Sequence, residues 1–171
     1  RYAYVGSPGT LQIFDISNPV SPSQVASTSV NTPQSVYVSG RYAYSVSQTS
    51  DTLQVIDISN PASPVILSTV STSNLDPGSV RVSGRYAYVI TSSGSGTMQV
   101  FDILNPLSPV SVGLLSGVGG ARDGALAIAG RYAYNMFGSI LNTIDISGLE
   151  TTSAIVHSLE AGNLQVRNDI I

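Results

Sequence analysis

Apolar and polar residues alternate along this chain in runs too short for a helix, and the runs recur in a fixed order. One alternating run ends in Gly three times: SVYVSG at 35–40, SVRVSG at 79–84 and ALAIAG at 125–130. Next comes Arg-Tyr-Ala-Tyr, starting at Arg1, Arg41, Arg85 and Arg131. A third run follows, LQIFDIS, LQVIDIS, MQVFDIL or LNTIDIS, with its acid at Asp15, Asp57, Asp102 and Asp145. A fourth, PVILSTV in the second unit, completes the set. A period of two puts alternate side chains on opposite faces of a strand. No stretch carries the 3.6-residue period of a helical solenoid.

One unit therefore reads as four strands, a to d. Repetition at spacings of 40, 44 and 46 residues predicts an all-β fold, a β-propeller made of four-stranded antiparallel blades. The expected single repeat domain covers 1–171, with blades at about 1–30 (lacking strand a), 34–70, 79–115 and 125–160, and an extra strand a at 162–171.

Turn chemistry agrees with the strands. Gly40, Gly84 and Gly130 sit where a tight a–b turn calls for a positive φ. Asn-Pro-x-Ser-Pro follows strand c at 18–22, 60–64 and 105–109; Pro has no N–H to donate, so the ladder stops there. The b–c connections vary in length and hold Gly, Ser, Thr and Pro.

Antiparallel pairing of b with c brings the start of one beside the end of the other. With Gly9 near the first hairpin tip, Arg1 falls near Asp15 and Tyr4 near Phe14 or Gln12. The same register sets Arg41 at Asp57 and Arg131 at Asp145. The third unit is one residue out of step, so a bulge is expected to bring Arg85 to Asp102. Each Asp is also expected to accept N–H groups from the turn that follows it. Groups repeated in every blade are structural. The two Tyr of each motif share a sheet face and are expected in the core between blades, in preference to an aromatic ladder for carbohydrate.

Composition narrows the function classes. Charged residues make up 10% of the chain, against roughly 25% in an ordinary domain. All seven basic residues are Arg, and the net charge is −3, so there is no basic stripe for nucleic acid. No apolar run reaches the length of a membrane span. Without Cys, disulfides and thiolate metal sites are excluded. His157 is the only His and cannot seed a zinc site by itself.

GRYAYV followed by LQVIDISNPASPV resembles the LVIVD repeat of bacterial and archaeal surface proteins, over roughly Arg1 to Gly148. The resemblance implies a secreted or surface-exposed propeller, without catalytic residues to carry over. The fourth unit departs from the pattern, with Ser147-Gly148-Leu149 in place of the Pro-bracketed turn.

Two sets of residues fall outside the repeat. Arg122 and Asp123, in a Gly-rich d–a connection, and Asp76 in an equivalent place could line a small polar ligand site at the blade axis. Turn residues of no further role are the plainer account. Leu164, Val166 and Ile170 lie on the terminal strand, read as an assembly strand. It could close a ring within the chain, insert into another copy, or belong to a larger propeller. The expectation is a non-enzymatic extracellular or cell-surface module with no cofactor, whose partner is protein, first of all itself. It would suit a subunit of a filament or surface layer. The alternative is a ligand-binding or hydrolytic propeller.

Overall fold

The computed structural model describes residues 1–73, 75–91, 96–119, 126–137 and 139–146. These form fourteen strands in four antiparallel sheets, with no helix among the described residues. The first sheet orders β1 (Tyr2–Ser7), β2 (Thr10–Asp15) and β3 (Ser23–Ser29). The second orders β4 (Ser35–Ser39), β5 (Tyr42–Ser47), β6 (Thr52–Asp57) and β7 (Val65–Ser71). In the third lie β8 (Pro77–Ser83), β9 (Tyr86–Thr91), β10 (Thr97–Asp102) and β11 (Val110–Ser116). The fourth holds β12 (Leu126–Ala129), β13 (Tyr132–Phe137) and β14 (Ile140–Asp145).

Each sheet pairs only with itself, as a meander in chain order, and neighbouring sheets meet face to face. Contact is made through the first strands, β4 with β8 and β8 with β12, which marks these as the strands nearest the axis. This is the blade arrangement of a β-propeller.

The a–b turns are two residues long, since Ser39 pairs with Tyr42 and Ser83 with Tyr86. Gly40, Gly84 and Gly130 take φ of 59°, 58° and 58° at the first turn position. That is the place where a tight hairpin puts its glycine, and it leaves the Arg at the second position.

Two register expectations need correction. Tyr2 lies opposite Asp15 and Tyr4 opposite Ile13, so Arg1 faces Ile16, whose N–H donates to the Arg1 carbonyl at 2.9 Å. The first hairpin turns on both Pro8 and Gly9, with Ser7 paired to Thr10, which moves each of these partners by one residue. The bulge expected between strands b and c of the third unit is absent, and Tyr86 pairs with Asp102 without a shift. The odd residue falls between Thr91 and Thr97, outside the paired ladder. Bulges occur between c and d, at Ile13/Phe14, Val55/Ile56 and Val100/Phe101. The extra residue there adds twist to the outermost strand pair of each blade.

Candidate functional site

The faces of the blades carry the recurring chemistry. In β5 the side chains of Tyr44 and Val46 project to one side, and Ala43, Ser45 and Ser47 to the other. Tyr44, Val46, Leu53 and Val55 of the second sheet share one buried cluster with Val80, Val82, Ala87, Val89, Phe101 and Ile103 of the third. The Tyr face of one blade thus packs on the Ala face of the next. The rule repeats on both sides. Tyr88, Ile90 and Met98 cluster with Leu126 and Ala133, and Leu11 and Ile13, with Tyr4 against them, cluster with Ala43 and Ile56. Alanine leaves the room that the neighbouring ring fills. Tyr44 and Tyr88 are core, as expected from the sequence. Tyr4, Tyr42, Tyr86 and Tyr134 are half-buried and Tyr2 and Tyr132 are exposed, so the expectation that both Tyr of each motif are core holds only in part.

Polar clamps join the same faces. Gln54 Oε1 accepts the Asn31 N–H at 2.7 Å, and Asn31 Nδ2 donates to Thr52 Oγ1 at 2.7 Å. Asn135 Nδ2 reaches the Val118 and Gly119 carbonyls at 3.0 and 3.1 Å. In both cases a blade holds the connector that leads into it. Sequence reasoning missed these clamps, although Gln12, Gln54, Gln99 and Asn142 recur at one position of strand c.

The series leaves one face of each kind without a neighbouring sheet among the described residues. On the fourth blade, Leu141 is 62% exposed and Met136 52%, where the equivalent Leu53 and Val46 are at 0%. On the first, Val5 is 44% exposed, against 2% for the equivalent Val89. Phe14 and Ile16 are half-buried there, while Phe101 and Ile103 are buried.

A polar cluster sits at the a–b turn end of the second, third and fourth blades. Arg41 pairs with Asp57, Arg85 with Asp102 and Arg131 with Asp145. The guanidinium lies over the adjacent ring, 5.3 Å from the Tyr42 centroid, 5.2 Å from Tyr86 and 5.3 Å from Tyr132. The other carboxylate oxygen accepts a turn N–H, from Ser59 on Asp57 at 2.8 Å and from Leu104 on Asp102 at 3.0 Å. Donation by Arg41 and Ser59 lowers the Asp57 pKa to about 2, and the same kinds of contact lower that of Asp102. The expected Arg1–Asp15 pair is not among the ion pairs. Asp15 instead accepts the Ser17 N–H at 2.8 Å, and its hydrogen bonds to Ser17 lower its pKa.

Of the residues expected at an axial ligand site, Asp76 alone is described; Arg122 and Asp123 lie outside the described residues, as do His157, Leu164, Val166 and Ile170. Asp76 takes φ 45° and its N–H donates to Asp51 Oδ1 at 3.0 Å, closing a loop contact between the second and third blades. The axis presents a different pair. Arg81 of β8 lies 5.4 Å from the Tyr37 ring of β4, beside a cleft of about 300 Å³ that Ile128 also lines. The sequence held one signal for it, since position 37 of SVYVSG becomes 81 in SVRVSG and 127 in ALAIAG, a variable residue in a repeated strand. Among the described residues, no group of three His, Cys, Asp or Glu is placed to hold a metal ion.

The model of the LVIVD repeat matches residues 1–32, 32–72 and 76–115. The fourth unit, where the resemblance also reached, lies beyond this match. No curated protein matches the sequence significantly. Several solved structures share the fold. A protein of unknown function from Desulfotomaculum acetoxidans aligns with a TM-score of 0.68 and 22% identity, over 82% of this chain and 49% of its own. A Bacteroides fragilis protein, provisionally named a 6-phosphogluconolactonase, aligns with a TM-score of 0.70 and 14% identity, over 85% and 47%. The computationally designed Ika4 protein aligns with a TM-score of 0.59 and 16% identity, over 85% and 86%. The chain thus spans about half the length of the two natural proteins.

Proposed function

The chain belongs to the LVIVD-repeat family, and from that premise we propose a non-enzymatic β-propeller module for protein interaction, its first partner being other copies of itself. Its place is outside the cell or on the surface of a bacterium or archaeon, as a subunit of a filament or surface layer. One observation carries this reading: the apolar faces around Val5 and around Met136 and Leu141 have the side-chain pattern that every internal blade contact buries. Exposed apolar surface of that extent marks an interaction site. A chain with 10% charged residues also places little electrostatic repulsion in the way of close contact between copies.

Sedimentation velocity over a concentration series tests the reading. Mass rising with concentration is the expected result, and strictly monomeric sedimentation at the highest soluble concentration overturns it. The hydrolytic alternative draws on the axial cleft at Arg81 and on the provisional lactonase names of two neighbours, which at 16% and 14% identity support the fold alone. Saturable turnover of a sugar lactone, lost in Arg81→Ala, would replace the non-enzymatic reading with that one.

A further inference from the structure

We infer that the groove between the second and third blades, at their a–b turn end, binds a small organic acid. Its ligand is a carboxylate joined to a branched apolar body. The groove measures about 390 Å³ and takes its walls from these two blades alone, both described along all four strands. Its floor is apolar, with Tyr44, Val82 and Ile103 all at 8% exposure or less. Arg41, Arg85 and Leu104 stand at the rim.

Leu104 carries the inference. The four units read Phe14-Asp15-Ile16-Ser17, Ile56-Asp57-Ile58-Ser59, Phe101-Asp102-Ile103-Leu104 and Ile144-Asp145-Ile146-Ser147, so the third alone has Leu in place of Ser. The turn uses the backbone of this position, whose N–H donates to Asp102 as that of Ser59 donates to Asp57. Packing among the described residues does not call for the side chain either, since Leu104 is 73% exposed. A Leu held in water at the mouth of an apolar groove gains when a ligand covers it.

The polar groups of the rim select an acceptor. Both oxygens of Asp57 are committed, Oδ2 to Arg41 Nη2 and Oδ1 to the Ser59 N–H. Asp102 is held in the same way by Arg85 and the Leu104 N–H. The bond from Arg41 uses one of the five N–H groups of a guanidinium, and this side chain is 60% exposed. Arg41 lies over the Tyr42 ring and Arg85 over that of Tyr86, which holds each guanidinium in place. The rim therefore offers N–H donors to an incoming acceptor. Each ion pair is neutral, so the supply of donors, more than net charge, favours a carboxylate, which forms the stronger bond with a guanidinium. The apolar body then fills the floor beneath.

Titration of the chain with isocaproate, a short branched fatty acid, tests this by NMR. Acetate, which lacks the body, and isocaproamide, which lacks the charge, are the comparisons. Saturable shifts of the Arg41, Arg85 and Leu104 N–H signals are expected below about 10 mM, with both comparisons at least about tenfold weaker. Leu104→Ser restores the residue of the other units and should weaken binding by about fivefold. Arg41→Gln should weaken it by about tenfold. Arg131→Gln breaks the same kind of ion pair on the fourth blade, away from the groove, and should leave binding unchanged. Absence of saturable binding overturns the inference, as does equal binding of acetate or the amide, or an equal loss in all three variants. None of these results touches the interaction reading, which rests on other surfaces.

Discussion

Tyr44 of β5 and Ala87 of β9 lie in one buried cluster between the second and third sheets, Tyr44 at 3% exposure and Ala87 at 0%. The pair states the design of the molecule in two residues. A ring on one face needs an absent side chain on the next. Because Tyr and Ala alternate within the same strand, every blade supplies both halves of the fit.

The first prediction follows from that fit. Ala87→Leu adds volume where the Tyr ring already fills the space, and overpacking of this kind costs about 1–3 kcal/mol. Ala3→Leu makes the same change on the face without a neighbour and should leave monomer stability within about 0.5 kcal/mol. Urea midpoints of the two variants, taken at low protein concentration, measure the difference.

Leu53 and Leu141 occupy one repeat position, at 0% and 62% exposure. Removing a buried Leu side chain costs about 2–5 kcal/mol through lost burial and the cavity left behind. Leu53→Ala is expected to fall in that range, and Leu141→Ala to change stability little. Thermal unfolding of both variants checks this, and equal losses would mean that the fourth blade's face is covered within the monomer.

The Asp57 carboxyl, held to about 2 by Arg41 and the Ser59 N–H, should show that midpoint when its side-chain carbon is followed by NMR through an acid titration. Its folded pKa lies below the unfolded value of about 3.9. The stability it contributes is therefore complete above about pH 4 and is lost as pH falls toward about 2. Arg41→Ala is expected to raise the midpoint only part of the way, because the Ser59 N–H remains at 2.8 Å.

Two glycines should fail for different reasons. A Cβ at Gly40 would meet nothing within 4 Å, but φ is 59°, so Gly40→Ala carries a backbone cost of about 1–2 kcal/mol. Gly40→Asn should lose less, since Asn tolerates that conformation. At Gly6 the added Cβ would stand 2.9 Å from Pro33 Cβ, part of a rigid ring, so Gly6→Ala must push the first and second blades apart. Denaturation of the three variants separates strain from collision, with Gly6→Ala expected to lose about 1–3 kcal/mol.

Much of this was legible in one dimension. SVYVSG and RYAYSV read as strands because alternate residues change character, and Gly40 read as a turn because few other residues reach a positive φ cheaply. The pairing of Arg41 with Asp57 was legible too, since a short hairpin carries its own register. Local rules govern all three.

What escaped had non-local causes. The odd residue of the third unit falls between Thr91 and Thr97, outside the paired ladder, and no local pattern says on which side of that boundary it belongs. Arg81 reached Tyr37, and Asn135 the carbonyl of Val118, across blades that no local pattern relates.

The sequence by itself determined the strands, the turns and which side chains share a face, because these depend on residues a few positions apart. Only the tertiary structure decided that Tyr faces meet Ala faces in one direction around the axis, and that, of one repeat position, Leu53 is buried and Leu141 exposed. Burial is a property of what stands opposite, and what stands opposite lies about 40 residues away.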